Sequence, residues 1–396
     1  GLFLFVLTLS LAAGPARGQN ESDAAKADAA TKQLLAANGF LRAGRYKFAR
    51  DEFQQFLKVH PDHERATDAR YWLGVCEYRL SQFDKAVELI EQVLSDNKFK
   101  QHDDALVILG HSQLSLGQSE KALAAFEKLL NDHKQSKHIE TASLYRAQVL
   151  YLLGRKEDAL QASSQFVATY PKSGNADAGM YIKALSQYDM AQYDKSASTL
   201  KQLFDANPNT RYQLDATYLL GQCQSELGQL DDAIASFKAM LEKAPVSRQA
   251  QGRYSLGVAL YKAEQYDDAI QQLRTVLEDF PEDRYAAPAR LQLGLTQLAD
   301  GDPGDARKTL KEVADKDEKR RVTARYWLSQ CDIREEKYDD ARKILDDLAK
   351  LNPPPPNMDE ITFDRALCSM AMEKWEDAAG EFADFRSKYT HSTHLA

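Results

Sequence analysis

The sequence predicts an all-α solenoid built from about ten helix-turn-helix units. Three observations carry that expectation. An alanine followed by an apolar stretch recurs every 35 to 37 residues, at Ala49, Ala86, Ala122, Ala159, Ser196, Ala233, Ala269, Ala306, Ala341 and Ala378. Twelve residues earlier stands a small residue: Ala37, Gly74, Gly110, Ala147, Ala184, Gly221, Gly257, Gly294, Ser329 and Ala366. Four residues after the alanine stands a large apolar one: Phe53, Ile90, Phe126, Leu200, Phe237, Leu273, Leu310, Leu345 and Phe382, with Ser163 in the fourth unit. Self-similarity at a fixed period marks stacked supersecondary units, none of which buries its apolar face alone.

The elements follow in chain order. Leu2 to Leu11 is an apolar run broken only by Thr8 and Ser10, and Ala16-Arg17-Gly18 follows it. That pattern reads as an export signal over residues 1–18 lacking its charged n-region, cleaved after Gly18 or Ala13. No cysteine lies near the cleavage region to take a lipid. Residues 19–29 read as a polar spacer, and residues 30–390 as the ten units. In each unit one helix carries the small residue and the next carries the alanine, since helices approach to about 8 Å only where side chains are small. Turn clusters such as Leu116-Gly117-Gln118 and Leu227-Gly228-Gln229 separate the two. Pro61, Pro171, Pro208, Pro245, Pro281 and Pro353 stop second helices, because proline lacks an N–H and moves the preceding residue out of the α region. Asp231-Asp232 and Asp339-Asp340 open second helices, where carboxylates favour the helix dipole. Asn352-Pro353-Pro354-Pro355-Pro356-Asn357 predicts a stiff extended spacer between units nine and ten. Thr390 takes the proline position of the tenth unit, so 391–396 read as the lead-in to a further, truncated repeat.

The pattern small-(x)11-Ala-(x)3-Phe-(x)7-Pro resembles the tetratricopeptide repeat. Tyr218-Leu219-Leu220-Gly221 and Tyr254-Ser255-Leu256-Gly257 match its first helix. Gln265-Tyr266-Asp267-Asp268-Ala269-Ile270 and Gln82-Phe83-Asp84-Lys85-Ala86-Val87 match its turn and second helix. The units here exceed the family's 34 residues, and the surplus follows the proline. This longer form is similar to bacterial envelope tetratricopeptide proteins, among them the Tol-Pal accessory protein and the outer-membrane β-barrel assembly lipoprotein. The chain shows neither the coiled-coil heptads of the first nor the lipidated cysteine of the second. The resemblance implies a right-handed superhelix whose first helices line a concave groove.

Composition excludes several function classes. The chain has 396 residues and a net charge of −8, against the basic face that non-specific nucleic-acid binding needs. No apolar run reaches the roughly 18 residues that span a bilayer. Cys76, Cys223, Cys331 and Cys368 all lie two residues after the small position, where other units have Gly39, Ser112, Val149, Ser186, Ala259 and Thr296. They read as buried structural thiols. His60 with His63, and His391 with His394, fall in loops with no third ligand nearby. Asp300-Gly301-Asp302-Pro303-Gly304-Asp305 lacks calcium-loop spacing and reads as a turn. Lys316-Asp317-Glu318-Lys319-Arg320-Arg321 reads as a solvated loop. No Walker loop, nucleophile elbow or zinc-protease motif is present. The expectation is no enzyme, no cofactor and no metal.

The tyrosines carry the one positive site. Three residues before the small position stand Tyr71, Tyr181, Tyr218, Tyr254 and Tyr326, and four after it stand Tyr78, Tyr151, Tyr188 and Tyr261. Residues seven apart share one helix face. Tyrosine offers a large amphipathic contact area at low entropy cost, although such rings also pack between repeats. Only Asn38 matches the family's carboxylate clamp, so that chemistry is rejected. The sequence thus predicts a scaffold exported to the periplasm or cell envelope, binding other proteins or peptides, with neither nucleic acid nor a membrane span. Alternatives are a factor in outer-membrane protein assembly or Tol-Pal-linked division, and an interaction module of a larger protein.

Overall fold

The computed structural model describes residues 29–395. The expected export signal and the spacer up to residue 28 lie outside the described residues. Among the described residues there are twenty α-helices and no strand. They form two compact units, divided between Thr210 and Arg211. The first holds five pairs: α1 (Ala29–Arg42) with α2 (Tyr46–Val59), α3 (Ala66–Arg79) with α4 (Phe83–Leu94), α5 (His102–Ser115) with α6 (Ser119–Asp132), α7 (Ile139–Leu152) with α8 (Lys156–Thr169), and α9 (Ala176–Asp189) with α10 (Tyr193–Ala206). The second holds α11 (Gln213–Glu226) with α12 (Leu230–Lys243), α13 (Val246–Lys262) with α14 (Tyr266–Asp279), α15 (Ala286–Ala299) with α16 (Pro303–Lys316), α17 (Arg321–Arg334) with α18 (Tyr338–Ala349), and α19 (Met358–Ala371) with α20 (Trp375–Lys388). Within each unit every helix packs on the one before it and the one after it.

The register explains how a pair closes. Every small-slot and alanine-slot residue is buried. A Cβ added to Gly110 would lie 2.6 Å from Phe126 Cζ, one on Gly221 2.8 Å from Phe237 Cε1, and one on Gly294 2.7 Å from Leu310 Cδ2. The large residue four after the alanine therefore fills the space that a missing Cβ leaves on the facing helix. The two polar departures are satisfied in place, as buried polar groups must be. Ser196, in the alanine slot, donates to the Ala184 carbonyl at 2.8 Å, and Ser163 donates to the Ala159 carbonyl at 2.7 Å.

All ten turns inside pairs use one backbone device. The residue five before the alanine is left-handed: Gly44, Gly117, Gly154, Gly228 and Gly301, but also Ser81, Ala191, Glu264, Glu336 and Glu373. Glycine takes that conformation without strain, whereas a side chain costs about 1–2 kcal/mol there. The bonds around Ser81 show what holds it: its N–H donates to Tyr78 O at 3.0 Å, and the Gln82 N–H to Glu77 O at 2.8 Å. These are the paired bonds of a Schellman cap. In the eighth pair Asp302 caps α16 by accepting the Asp305 N–H at 2.9 Å, with Pro303 opening the helix, so Asp300–Asp305 is a turn.

Second helices end where the prolines require, at Val59, Thr169, Ala206, Lys243 and Asp279. Two end early. After α4, Asp96 accepts the Lys98 N–H at 2.9 Å and the Thr67 hydroxyl at 2.7 Å, a local turn that competes with another helical turn. After α18, the proline run folds into a short loop with Pro355 buried, which corrects the expected extended spacer. Junctions between pairs share a hydrogen bond over one repeat step. Ser136 donates to Asp103 at 2.6 Å, Thr210 to Asp177 at 2.7 Å and Ser392 to Asp359 at 2.9 Å.

Candidate interaction site

The nine tyrosines all sit on first helices, and none is fully exposed. Tyr71 and Tyr326 are interior residues, at 1% and 9% exposure, so they offer no contact surface. The Tyr71 ring lies 4.9 Å from Trp72 and 5.2 Å from Phe99. Tyr326 donates to Asp364 of the next pair at 3.0 Å, and burial with that neighbouring carboxylate pushes its phenol well above the ordinary range. Tyr78, Tyr151, Tyr181, Tyr188, Tyr218, Tyr254 and Tyr261 are half-buried.

Their contacts follow the register. In three pairs the later tyrosine meets the aromatic residue that opens the partner helix: Tyr78 and Phe83 at 6.0 Å, Tyr188 and Tyr193 at 5.3 Å, Tyr261 and Tyr266 at 6.0 Å. The earlier tyrosine reaches the next pair: Tyr218 to the Ser255 hydroxyl at 3.0 Å, Tyr254 to the Tyr285 ring at 5.5 Å. Burial raises the pKa of Tyr78, Tyr151, Tyr218, Tyr254 and Tyr261, so all remain neutral donors. A ring held on one edge by a neighbour and open on the other is a preorganised contact, with little entropy left to lose on binding.

Behind this face, within each unit, lies a buried polar column that the sequence reading missed. Three residues after the small slot stand Glu77, Gln113, Gln187, Gln224, Gln297, Asp332 and Ser369, all buried. Four have a polar partner twelve residues on: Thr199 donates to Gln187 at 2.8 Å, the Gln224 amide donates to the Ser236 hydroxyl at 2.7 Å, Thr309 donates to Gln297 at 2.8 Å, and Ser369 to Glu381 at 2.8 Å. Asp332 instead accepts from Arg307 at 2.6 Å. For Glu77 and Gln113 the residue twelve on is Leu89 or Ala125, and one oxygen of each is without a partner. His111, buried against Tyr145 at 4.3 Å and Phe126 at 5.6 Å, likewise has an unpaired Nε2. The alanine register already places these residues in one slot, and the unread signal was the polar residue that recurs twelve positions on, at Thr199, Ser236, Thr309 and Glu381.

The remaining candidates have structural settings. The four cysteines are buried and none forms a disulfide, and burial raises the thiols of Cys76, Cys331 and Cys368 to about 12, 11 and 12. His60 and His63 pack on Phe56, at 5.4 and 5.3 Å, with their rings 6.4 Å apart. Asn38 donates back to the Leu34 carbonyl at 2.8 Å. One cluster escaped the sequence reading: Asp103, Asp104 and His138 have ligand-type atoms within 4.8 Å of one another. Asp104 already accepts from His138 at 2.7 Å and Lys137 at 2.9 Å. Burial pushes its pKa up, but these two bonds outweigh that and hold it below the ordinary value. The residues are about one repeat step apart, so stacking alone brings them together. A groove of about 560 Å³ opens between α6, α7 and α8, lined by Glu127, Leu130, Ile139, Arg146, Phe166 and Tyr170 among others. Arg146 holds a slot that is leucine in six other units, and it pairs with Glu127 at 3.1 Å.

Comparison with known proteins agrees with the register. Residues 99–251 match the YfiO model, an outer membrane lipoprotein family. Residues 297–361, and residues 34–103 with 254–287, match tetratricopeptide-repeat models. No curated protein shows significant sequence similarity to the chain. Among solved structures, the apo form of RapI is 15% identical with a TM-score of 0.53, covering 88% of this chain and 99% of its own. A tetratricopeptide repeat protein from Parabacteroides merdae is 16% identical with a TM-score of 0.47, covering 68% of this chain and 98% of its own. YrrB, a tetratricopeptide protein with an unusual peptide-binding site, is 20% identical with a TM-score of 0.41, covering 52% of this chain and 99% of its own. At 15% identity the RapI likeness speaks to fold alone. Among the described residues no helix is long and apolar enough to cross a membrane. The chain is a tetratricopeptide-repeat protein, and over residues 99–251 it resembles the outer membrane lipoprotein family.

Proposed function

We propose that the chain is a non-enzymatic interaction scaffold, exported to the bacterial periplasm, that holds partner segments along its first-helix face. The observation that carries this reading is the set of seven half-buried tyrosines at two repeating slots of one face. Tetratricopeptide repeats serve as binding scaffolds in general, which supports the class of activity but not a partner. A second reading, a factor in outer-membrane protein assembly, is favoured by the match to the outer membrane lipoprotein model over residues 99–251.

The test is affinity capture from envelope extract. The bait is the chain, beside a variant with Tyr181, Tyr188, Tyr218, Tyr254 and Tyr261 changed to Ala and checked for unchanged helicity. A partner held by the first bait and lost by the second is expected. Equal capture by both would refute the tyrosine face as the site. Barrel-assembly components among the captured proteins would support the second reading, and Tol-Pal components would point to envelope constriction instead. Recovery of the expressed protein in the cytoplasmic fraction with residues 1–18 still attached would sink the export claim.

A further inference from the structure

The groove between α6, α7 and α8 lies where other pairs place a contact of their own. In the seventh, eighth and ninth pairs the residue four before the small slot is an arginine that reaches across to its own second helix. Arg253 donates to Gln272 at 2.9 Å, Arg325 donates to Asp347 at 3.2 Å, and Arg290 lies 3.6 Å from Glu312. In the fourth pair that slot is Ser143, whose hydroxyl donates back to the Ile139 carbonyl at 2.7 Å. The slot of Glu312 and Asp347, six after the alanine, is the exposed Gln165. Ser143 and Gln165 both line the groove of about 560 Å³, with Leu130, Ile139 and Phe166 among its apolar residues. That volume falls within the range of about 300–1,000 Å³ that holds small ligands and side chains.

Charge decides what the groove would take. Arg146 is the one cation among its lining residues. Its Nε donates to Glu127 at 3.1 Å, and neither Nη group bonds to another described residue. Two other guanidinium groups of this chain each hold two carboxylates: Arg307 bonds Asp332 and Glu335, and Arg342 bonds Asp346 and Glu381. A guanidinium held at Nε keeps its Nη edge for a second carboxylate, approached end-on in a charge-assisted pair. The fourth pair supplies no such acid. Its lining residues on α8 are uncharged, whereas the eighth and ninth pairs have Glu312 and Asp347 at the slot of Gln165. A carboxylate on Arg146 would stand beside the apolar lining, so a neighbouring aliphatic side chain of the same segment would be buried there.

We infer that this groove is a second binding site, for an acidic segment of a partner protein that sets a glutamate or aspartate on Arg146 and an aliphatic neighbour on Leu130, Ile139 and Phe166. None of the nine tyrosines lines it, so it stands apart from the tyrosine face. The probe is a fluorescein-labelled peptide, acetylated and amidated, that alternates leucine with glutamate. Its counterpart carries glutamine in place of glutamate. The chain's net charge of −8 does not draw an acidic peptide to the protein as a whole, so binding would report the local site. Fluorescence anisotropy with the full chain should show saturable binding of the glutamate peptide, and binding of the glutamine peptide weaker by more than tenfold. Arg146→Leu installs the residue of six other units, so the fold should survive, as circular dichroism would check; it should weaken the glutamate peptide more than tenfold. Ser143→Arg with Gln165→Glu recreates the contact of Arg290 and Glu312 across the groove and should weaken binding as well. The variant with five tyrosines changed to alanine should bind like wild type. No binding of the glutamate peptide, equal binding of both peptides, or binding unchanged in Arg146→Leu would overturn the proposal. Loss of binding in the tyrosine variant would move the site to the tyrosine face and overturn it equally.

Discussion

Replacing Gly110 with alanine tests the closeness of the two helices in a pair. Two opposing effects set its size. Within α5, alanine gains about 1 kcal/mol over glycine in helix propensity. Against that, the new methyl would stand 2.6 Å from Cζ, 2.7 Å from Cε1 and 3.0 Å from Cε2 of Phe126. Carbon atoms rest at about 3.5–4.0 Å, so the ring must retreat by about 1 Å. Phe126 is fully buried, and three contacts along one rim of a rigid ring leave no rotation that relieves them. Overpacking of this kind costs about 1–3 kcal/mol, and a shift of an ångström places it near the top of that range, for a net loss of about 1–2 kcal/mol. Gly74→Ala meets Ile90 Cδ1 at 2.8 Å, the movable end of a flexible chain, and should be close to neutral. Gly39→Ala meets nothing within 4 Å and should stabilise by about 1 kcal/mol. Urea unfolding followed by circular dichroism would rank the three. A Gly110→Ala protein as stable as Gly39→Ala would refute the packing argument, because helix propensity alone would then explain both.

Four further outcomes follow from the same geometry. Ala233, fully buried at a helix crossing, should lose about 1–3 kcal/mol on change to leucine in the same urea assay; a loss under about 0.5 would contradict its slot. Glu264→Gly should stabilise by about 0.5–1 kcal/mol, since a left-handed φ of 59° strains glutamate but not glycine, and a lower melting temperature would count against this. Burial, and then the charge of His138, hold the His111 imidazole at about 4, below its free value of 6.5. The unfolded chain therefore binds the extra proton between those values, so stability is complete above pH 6.5 and falls by up to about 3 kcal/mol as pH drops to about 4. His111→Phe should flatten that slope, and an unchanged slope would show that other groups cause it. The four buried thiols should react slowly with a thiol reagent under native conditions and quickly after unfolding; fast native reaction would mean that the first helices are open.

Much of this fold was readable because each slot admits few chemical solutions. A glycine facing a phenylalanine and an alanine at a crossing are spaced by helix geometry alone, so the period gave both members of a pair. The turns were readable only in part. Gly44, Gly117 and Gly154 announce a left-handed residue, but Ser81 and Glu336 do not, because the cap's bonds hold them there against their own preference. Tertiary neighbours decided the rest. Gln187 and Gln297 look like solvated positions in sequence, and only the facing Thr199 and Thr309 make them interior. Tyr71 differs from Tyr181 in burial through the Phe99 and Trp72 rings beside it, not through its slot.

The departures from the slots have their own logic. Nearest-neighbour stacking makes the stability of such an array roughly a sum of local terms, so one unit can change chemistry without loss of the fold. The fourth pair uses that freedom twice. Ser163 takes a large apolar slot and closes its hydroxyl onto its own helix, while Arg146 takes a leucine slot and turns to Glu127. The second change places a paired guanidinium in the lining of the groove of about 560 Å³ between α6, α7 and α8. The third pair departs differently, placing His111, Ser112 and Gln113 in the interior with an unpaired atom on each. Unpaired buried polar atoms weaken a structure by about 1–3 kcal/mol apiece unless water reaches them. Adjacent pairs thus combine a destabilised interior with an open groove, and both lie within residues 99–251, the stretch that matches the outer membrane lipoprotein model.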